Sequence, residues 1–295
     1  MRLHTMNVKL TCKNHLLRLS GIKRFHIVGC SRSGTTMLFY AMSAFEKTRL
    51  YDKETTPWSQ PDLKESMEIV SNPSQHWQGV NYITKRHRQW CSPENVKTTI
   101  QYALQNQATI INIVRDPRDV LTSKHPYTEG KFYVEPELWR LSAEANERLA
   151  EALEPRGRMF TIRYEDLVRM PRYVELLFKV NCGLQLRRNV TGIDRMKDNV
   201  ENGGVSMNMV KYMHKLRNFD PNSIGRWRND ERKQAHLDKL FDEPILRGRL
   251  ESFIKAHEYD QDFAGQPKMT ALVAELSKKS RIPFSSRMEP VFSLS

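Results

Sequence analysis

The chain has 295 residues, 39% of them hydrophobic, and 47 Lys and Arg against 34 Asp and Glu give it a formal net charge of +13. That length exceeds one average domain but suits a single large α/β domain with insertions, and it allows a sizeable core. No apolar run approaches the ~20 residues that span a bilayer, so stable membrane insertion is not expected. The basic balance favours an anionic partner, whether nucleotide, sulfated substrate, nucleic acid or membrane surface, without choosing among them.

Cys12, Cys30, Cys91 and Cys182 lie far apart, with no CxxC pair and no His-rich metal spacing. This suits reduced thiols in a cytoplasmic protein, and no metal site is expected. Residues 1–23 read as a basic N-terminal segment that lacks the apolar run of a secretory signal. The main domain is expected over 24–265. Residues 266–295, with Pro267, Pro283 and Pro290 among many Ser and Lys, read as an extended tail.

Phe25–Cys30 (FHIVGC) is a short apolar run ending in small residues, the pattern of a buried strand feeding a turn. Gly34–Phe45 then carries Met37, Leu38, Ala41 and Phe45 at helical spacing, which opens a βαβ unit. Glu94–Gln107 reads as a helix with Pro93 near its first turn, and Thr109–Val114 (TIINIV) as a buried parallel strand. Glu137–Leu153 is an amphipathic helix, Met159–Arg163 a strand, Tyr173–Val180 a helix after Pro171, and Pro244–His257 a last helix. Strands alternating with helices predict an α/β, three-layer fold with a central parallel sheet flanked by helices. Asn199–Asn222, with Gly203 and Gly204, reads as a mobile connection.

Gly29–Thr36 (GCSRSGTT) has the GxxxxG frame of a P-loop between strand and helix, where backbone N–H groups form an anion-binding concavity. Thr35 stands where a Walker A motif requires lysine. This argues against a nucleoside-triphosphate enzyme, which uses that lysine on the β- and γ-phosphates. Arg32 with the hydroxyls of Ser33, Thr35 and Thr36 suits a 5′-phosphosulfate. Arg115–Ser123 (RDPRDVLTS) follows the TIINIV strand, at the strand end where open α/β sheets bind ligands. Arg115 and Ser123 can converge there on one phosphate. The alternative is a solvated ion-pair cluster of Arg115, Asp116, Arg118 and Asp119.

These segments resemble the PAPS-dependent sulfotransferases (PAPS, 3′-phosphoadenosine-5′-phosphosulfate). Ser31–Thr36 is similar to the family's 5′-phosphosulfate loop P-[KR]-S-G-T-T, with Ser31 in place of proline. Arg115, Pro117, Arg118, Asp119 and Ser123 match its 3′-phosphate motif R-x-P-[RK]-D-x-x-x-S. Phe160–Leu167 resembles the family's strand-plus-Tyr-Glu-Asp element, which implies that Tyr164 lies near the adenine. Ser223–Arg228, with Gly225, Arg226 and Trp227, resembles a late loop that closes over the 3′-phosphate. The resemblance covers residues 24 to 230 and implies a P-loop-like sulfotransferase fold, PAPS as donor, adenosine 3′,5′-bisphosphate (PAP) as product and no required metal.

Under that resemblance Arg32 faces the sulfuryl group, Thr35 and Thr36 hold the 5′ end, and Arg115, Ser123 and Arg226 hold the 3′-phosphate. Two segments compete for the general base. Tyr82–His87 looks like the Lys-Thr-His segment of small-molecule sulfotransferases, with His87 as base and Lys85 assisting. Asp52–Pro57, expected after the second strand, looks like the Lys-Glu segment of glycan sulfotransferases, with Glu54 as base. The acceptor pocket is expected among Thr55–Trp77, Tyr127–Trp139 and Asn199–Asn222, with Trp58, Trp77, Tyr127, Phe132, Tyr133 and Trp139 as wall candidates. A small-molecule natural product is the favoured acceptor, sulfated on a hydroxyl or nitrogen. The alternatives are a carbohydrate sulfotransferase, a P-loop nucleotide kinase and a non-enzymatic polyanion binder, the last lacking any recognisable nucleic-acid module. Homodimerisation is left open.

Overall fold

In the computed structural model the described residues are 22–58, 80–124, 128–190 and 219–260. Residues 1–21, the 266–295 tail, Trp77, Tyr127 and most of the Asn199–Asn222 connection lie outside them.

Among the described residues five strands form one parallel sheet: β1 (Lys23–Val28), β2 (Thr48–Thr55), β3 (Asn81–Arg86), β4 (Thr109–Val114) and β5 (Met159–Arg163). Their order is β2-β3-β1-β4-β5, with β1 paired to β3 on one side and β4 on the other. The order reverses beside β1, so the loops leaving β1, β3 and β4 open together, at the kind of switch point where such sheets bind ligands.

The helices are α1 (Thr35–Ala41), α2 (Pro93–Asn106), α3 (Pro117–Leu121), α4 (Pro136–Leu153), α5 (Tyr164–Arg169), α6 (Pro171–Cys182), α7 (Glu231–Phe241) and α8 (Pro244–Ala256). Strand alternation assigns them to layers. Phe25, Ile27, Ile83, Ile111 and Ile113 pack with α1, α5 and α6 on one face. Val28, Ile110 and Met159 turn the other way, against α2 and α4. A third cluster joins α3, α4 and α8 near Cys30. Fully burying each such aliphatic side chain contributes roughly 1.5–3 kcal/mol.

The expected β4 and β5 coincide with the observed strands, while β1 starts and stops two residues before the expected Phe25–Cys30. β3 has no counterpart among the expected elements, because Asn81, Thr84, Lys85 and Arg86 break its apolar pattern. Four of its residues are nevertheless buried in the run Asn81–Thr84. β2 extends to Thr55, with a register irregularity between Leu50 and Glu54. Glu54 therefore lies on the strand, not in a loop after it. The helices α5 and α7 were also not expected, α5 because it begins directly where β5 stops.

Trp139 is corrected from wall candidate to core residue: it is 2% exposed and meets Phe253 edge-on. Phe132 is likewise engaged in packing, its ring 4.4 Å from His236.

Candidate functional site

The carboxyl ends of β1, β3 and β4 border a cleft of about 830 Å³, within the roughly 300–1,000 Å³ range of ligand sites. Its walls include Arg32, Gly34, Thr35, Thr36, Glu54, Arg86, Arg115, Ser123, Tyr133, Tyr164, Ser223 and Arg226. Thus most of the residues singled out in sequence converge on one concavity.

The 29–36 loop reaches this shape through three left-handed residues, Gly29 (φ 147°), Arg32 (φ 70°) and Gly34 (φ 99°). Alternating backbone hand turns successive N–H groups to one side, the geometry of an anion nest. Gly34 is required for space as well, since a Cβ there would lie 2.5 Å from Tyr164 Cδ2. No side chain caps the start of α1, so its first-turn N–H groups need another acceptor.

Ser33 plays a different part from the one its hydroxyl suggested. It is 1% exposed, its Oγ donates to the Cys30 carbonyl at 2.7 Å, and it lies outside the cleft wall. It locks the loop from behind.

Arg115 anchors the opposite wall. It donates to the carbonyls of Arg32 (3.2 Å) and Ser223 (2.7 Å), pairs with Asp119 at 3.5 Å, and lies 4.2 Å above the Tyr164 ring. Tyr164 and Ser223 share a hydroxyl hydrogen bond of 2.8 Å. Asp119 accepts from the Gly225 N–H at 2.7 Å, and burial pushes its carboxyl pKa up against the pull of Arg115. One arginine therefore joins the phosphate-type loop, the Tyr164 element and the late Ser223–Gly225 turn.

The 115–119 segment is not a solvated ion-pair cluster. Asp116 and Asp119 are buried. Asp116 caps α3 by accepting from the Arg118 N–H and also holds the Arg118 guanidinium in a bidentate pair at 2.9 Å. Arg118 in turn stacks on Trp227 at 4.6 Å and reaches the Tyr259 carbonyl. Gly225 and Trp227 thus shape the wall from outside the cleft, whereas Arg226 lines it, braced by Asp220 at 2.9 Å. Ser123 lines the cleft just past α3, its hydroxyl donating to the Val120 carbonyl.

At the other end Lys85 Nζ donates to Thr36 Oγ1 at 3.0 Å and pairs with Glu54 Oε1 at 3.2 Å. Burial lowers the lysine's pKa while Glu54 raises it. The ammonium is therefore shared between the phosphate-type loop and the carboxylate. The two base candidates are separated. Glu54 lines the cleft, and His87 does not. His87 accepts from the Gln89 N–H through Nδ1, and burial followed by Arg86 lowers its pKa.

Sequence reasoning passed over Arg86, which is 6% exposed, lines the cleft and donates to Ser31 Oγ at 3.1 Å. The available signal was Ser31 itself, a hydroxyl at the loop's proline position. Arg88, Lys124, Asp230 and Lys233 also line the cleft. Among the described residues no cluster of three His, Cys, Asp or Glu could hold a metal ion, and no helix is long and apolar enough to cross a membrane.

A parallel sheet bearing a phosphate-type loop at its carboxyl edge, with a carboxylate–lysine pair beside it, defines a group-transfer enzyme of the P-loop-like α/β class. The sulfotransferase domain family model matches residues 23–176, and the chain belongs to that family. It is a sulfotransferase.

Solved structures similar to it include the sulfotransferase domain from the curacin biosynthetic pathway (16% identity, 74% of this chain and 97% of that one, TM-score 0.48). The sulfotransferase domain of the Synechococcus PCC 7002 olefin synthase gives 17% identity over 71% and 88%, with a TM-score of 0.47. Mouse sulfotransferase SULT7A1, complexed with PAP, gives 16% identity over 78% and 89%, with a TM-score of 0.44. At these scores the family assignment rests on the sequence match alone. No curated protein matched the chain.

Proposed function

We propose that this sulfotransferase moves the sulfuryl group of PAPS to a hydroxyl or nitrogen of a small-molecule acceptor and releases PAP. The observation that carries the reading is Lys85, whose single ammonium touches both Thr36 of the phosphate-type loop and Glu54. The group to be transferred and the group that takes the acceptor's proton are thereby held next to each other.

The residues fit the donor. Arg115 and Arg226 supply positive charge and Ser123 a hydroxyl at the end assigned to the 3′-phosphate, and Tyr164 offers a ring edge beside Gly34. Thr35, Thr36 and the left-handed loop backbone hold the 5′ end. PAPS supplies an activated sulfuryl group on a bisphosphate leaving group. Arg32 lines the cleft with burial lowering its pKa, and it stabilises charge that grows on the bridging oxygen. Preorganised donors of this kind are worth about 10²–10³ in rate each.

Glu54 takes the proton from the acceptor O–H or N–H as the new bond to sulfur forms and the sulfur–oxygen bond to the phosphate breaks. Lys85 orients the carboxylate through Oε1, leaving Oε2 outside their ion pair. His87, off the cleft wall, does not contact the acceptor in this scheme. Nitrogen and hydroxyl acceptors share this scheme, as do small molecules and glycans. The Glu54 arrangement resembles the glycan enzymes, so a carbohydrate acceptor is the second reading. A cytoplasmic location, as the cysteine spacing suggests, is part of this proposal. Residues 24–265 form the catalytic unit in this proposal.

Single-turnover transfer from radiolabelled PAPS into a metabolite extract tests the assignment. Glu54→Gln is expected to lower the transfer rate by ~10²–10⁴, the range for a general base. His87→Gln is expected to stay near wild type. The reverse pattern would make His87 the base.

A further inference from the structure

Arg86 is a buried charged group on the cleft wall that the donor does not explain. It ends β3, one residue beyond Lys85, and strand alternation sends the two side chains to opposite faces. Lys85 goes to Thr36 on α1, while Arg86 goes toward Cys30 and Cys91 on the side of α2 and α4. The guanidinium is 6% exposed and yet borders the cleft.

Its partners are few. Nη2 donates to Ser31 Oγ at 3.1 Å, and Nε is buried without a hydrogen-bond partner. Among the described residues it forms no ion pair. Glu54, the acidic group that acts on it most, is paired with Lys85 instead. A buried charge without a counter-charge costs several kcal/mol. Burial lowers the pKa of Arg86, but an arginine in a protein does not give up its proton. An anion entering from the cleft that Arg86 lines, and accepting a charge-assisted hydrogen bond from its guanidinium, offsets that cost.

Ser31 strengthens this reading, because its hydroxyl sits where the family's loop carries proline and so belongs to this chain. It aims Arg86 at the cleft. Exposed Arg88 lines the same end, adding positive charge where the acceptor must enter. The strand register places Arg86 opposite Thr55, one residue from Glu54.

We infer that Arg86, aimed by Ser31, binds an oxyanionic group (carboxylate, phosphate or sulfate) on the acceptor, so that the acceptor is itself an anion. This rests on the PAPS reading, with Arg32, Lys85, Arg115 and Arg226 engaged by the donor. The same chemistry could also be met by the donor's own sulfuryl group, and the experiment separates the two sources.

Inorganic phosphate is titrated calorimetrically into the protein alone, into its PAP complex and into its PAPS complex. The expected result is that the donor's own phosphate sites fill with PAP or PAPS while one saturable phosphate site persists in both complexes. Arg86→Gln should weaken it ~10–100-fold, the range for a charge-assisted contact worth 1.5–3 kcal/mol, while PAP affinity stays unchanged. Ser31→Ala should weaken phosphate several-fold and covers the case in which Arg86→Gln fails to fold. Loss of the site on PAPS but not PAP binding would assign Arg86 to the donor and overturn the inference. So would wild-type phosphate binding in both variants, or no phosphate binding by the wild type. An Arg86-dependent phosphate site in a protein that binds neither PAP nor PAPS would overturn the donor reading, and this inference with it.

Discussion

Arg115 and Arg86 are both buried or half-buried arginines on the wall of one cleft, yet they are held in different ways. Arg115 has two backbone carbonyls, Asp119 and the Tyr164 ring around it. Arg86 has the Ser31 hydroxyl. Arg115 is therefore fixed by contacts within the chain, which preorganises the wall that the proposal gives to the donor. Arg86 keeps its charge with one hydrogen bond to Ser31 and, among the described residues, no ion pair. Preorganisation of the first kind favours tight, specific recognition of one ligand. Unspent charge of the second kind selects a class of ligands.

The comparison breaks most readily at Arg115. Arg115→Ala removes the link among three segments and a phosphate contact together. PAP affinity should fall by at least ~10–100-fold, as expected for losing one charge-assisted interaction, and the melting temperature should fall as well. Arg86→Gln should spare PAP affinity. If Arg115→Ala kept PAP affinity and stability, the donor wall would not be preorganised by Arg115.

A smaller effect sharpens the same contrast. Glu165 lies behind the donor wall, accepts from the Asp116 N–H at 3.1 Å, and is pushed by burial up to about 7 from an ordinary 4.5. Between those values the folded state keeps a proton that the unfolded chain has released. Stability at this site is therefore fully present below pH 4.5 and is lost as pH rises through about 7. Glu165→Gln should flatten the fall in melting temperature across that window. An unchanged pH slope in Glu165→Gln would show that the buried carboxyl does not retain its proton.

The donor end was also the more legible end. Gly29–Thr36 and Arg115–Ser123 announce themselves because each follows an apolar strand and carries residues tied to backbone needs: Gly34 for a left-handed turn against Tyr164, Pro117 for a helix start. Ser33, Gly225 and Trp227 were legible as members of their motifs but not in their roles, since the motif does not say which way a side chain turns. At the acceptor end the pattern fails for a physical reason. β3 is half polar because its end carries Lys85, which reaches Thr36 and Glu54, and Arg86, which lines the cleft, and the irregularity in β2 decides which face Glu54 takes. Register across two strands is a tertiary property, and a linear reading left Glu54 and His87 level. Tyr133 was named as a wall candidate and lines the cleft, 5.7 Å from the Arg32 guanidinium. Trp139, from the same stretch, is core.

Parallel calorimetric titrations test the proposed donor site most directly. The wild-type chain is titrated with PAP and, separately, with ATP and Mg²⁺. The account predicts saturable binding of PAP, a rise in melting temperature with PAP concentration as binding to the folded state requires, and little response to ATP–Mg²⁺. Preference for ATP–Mg²⁺, or indifference to both, would contradict it.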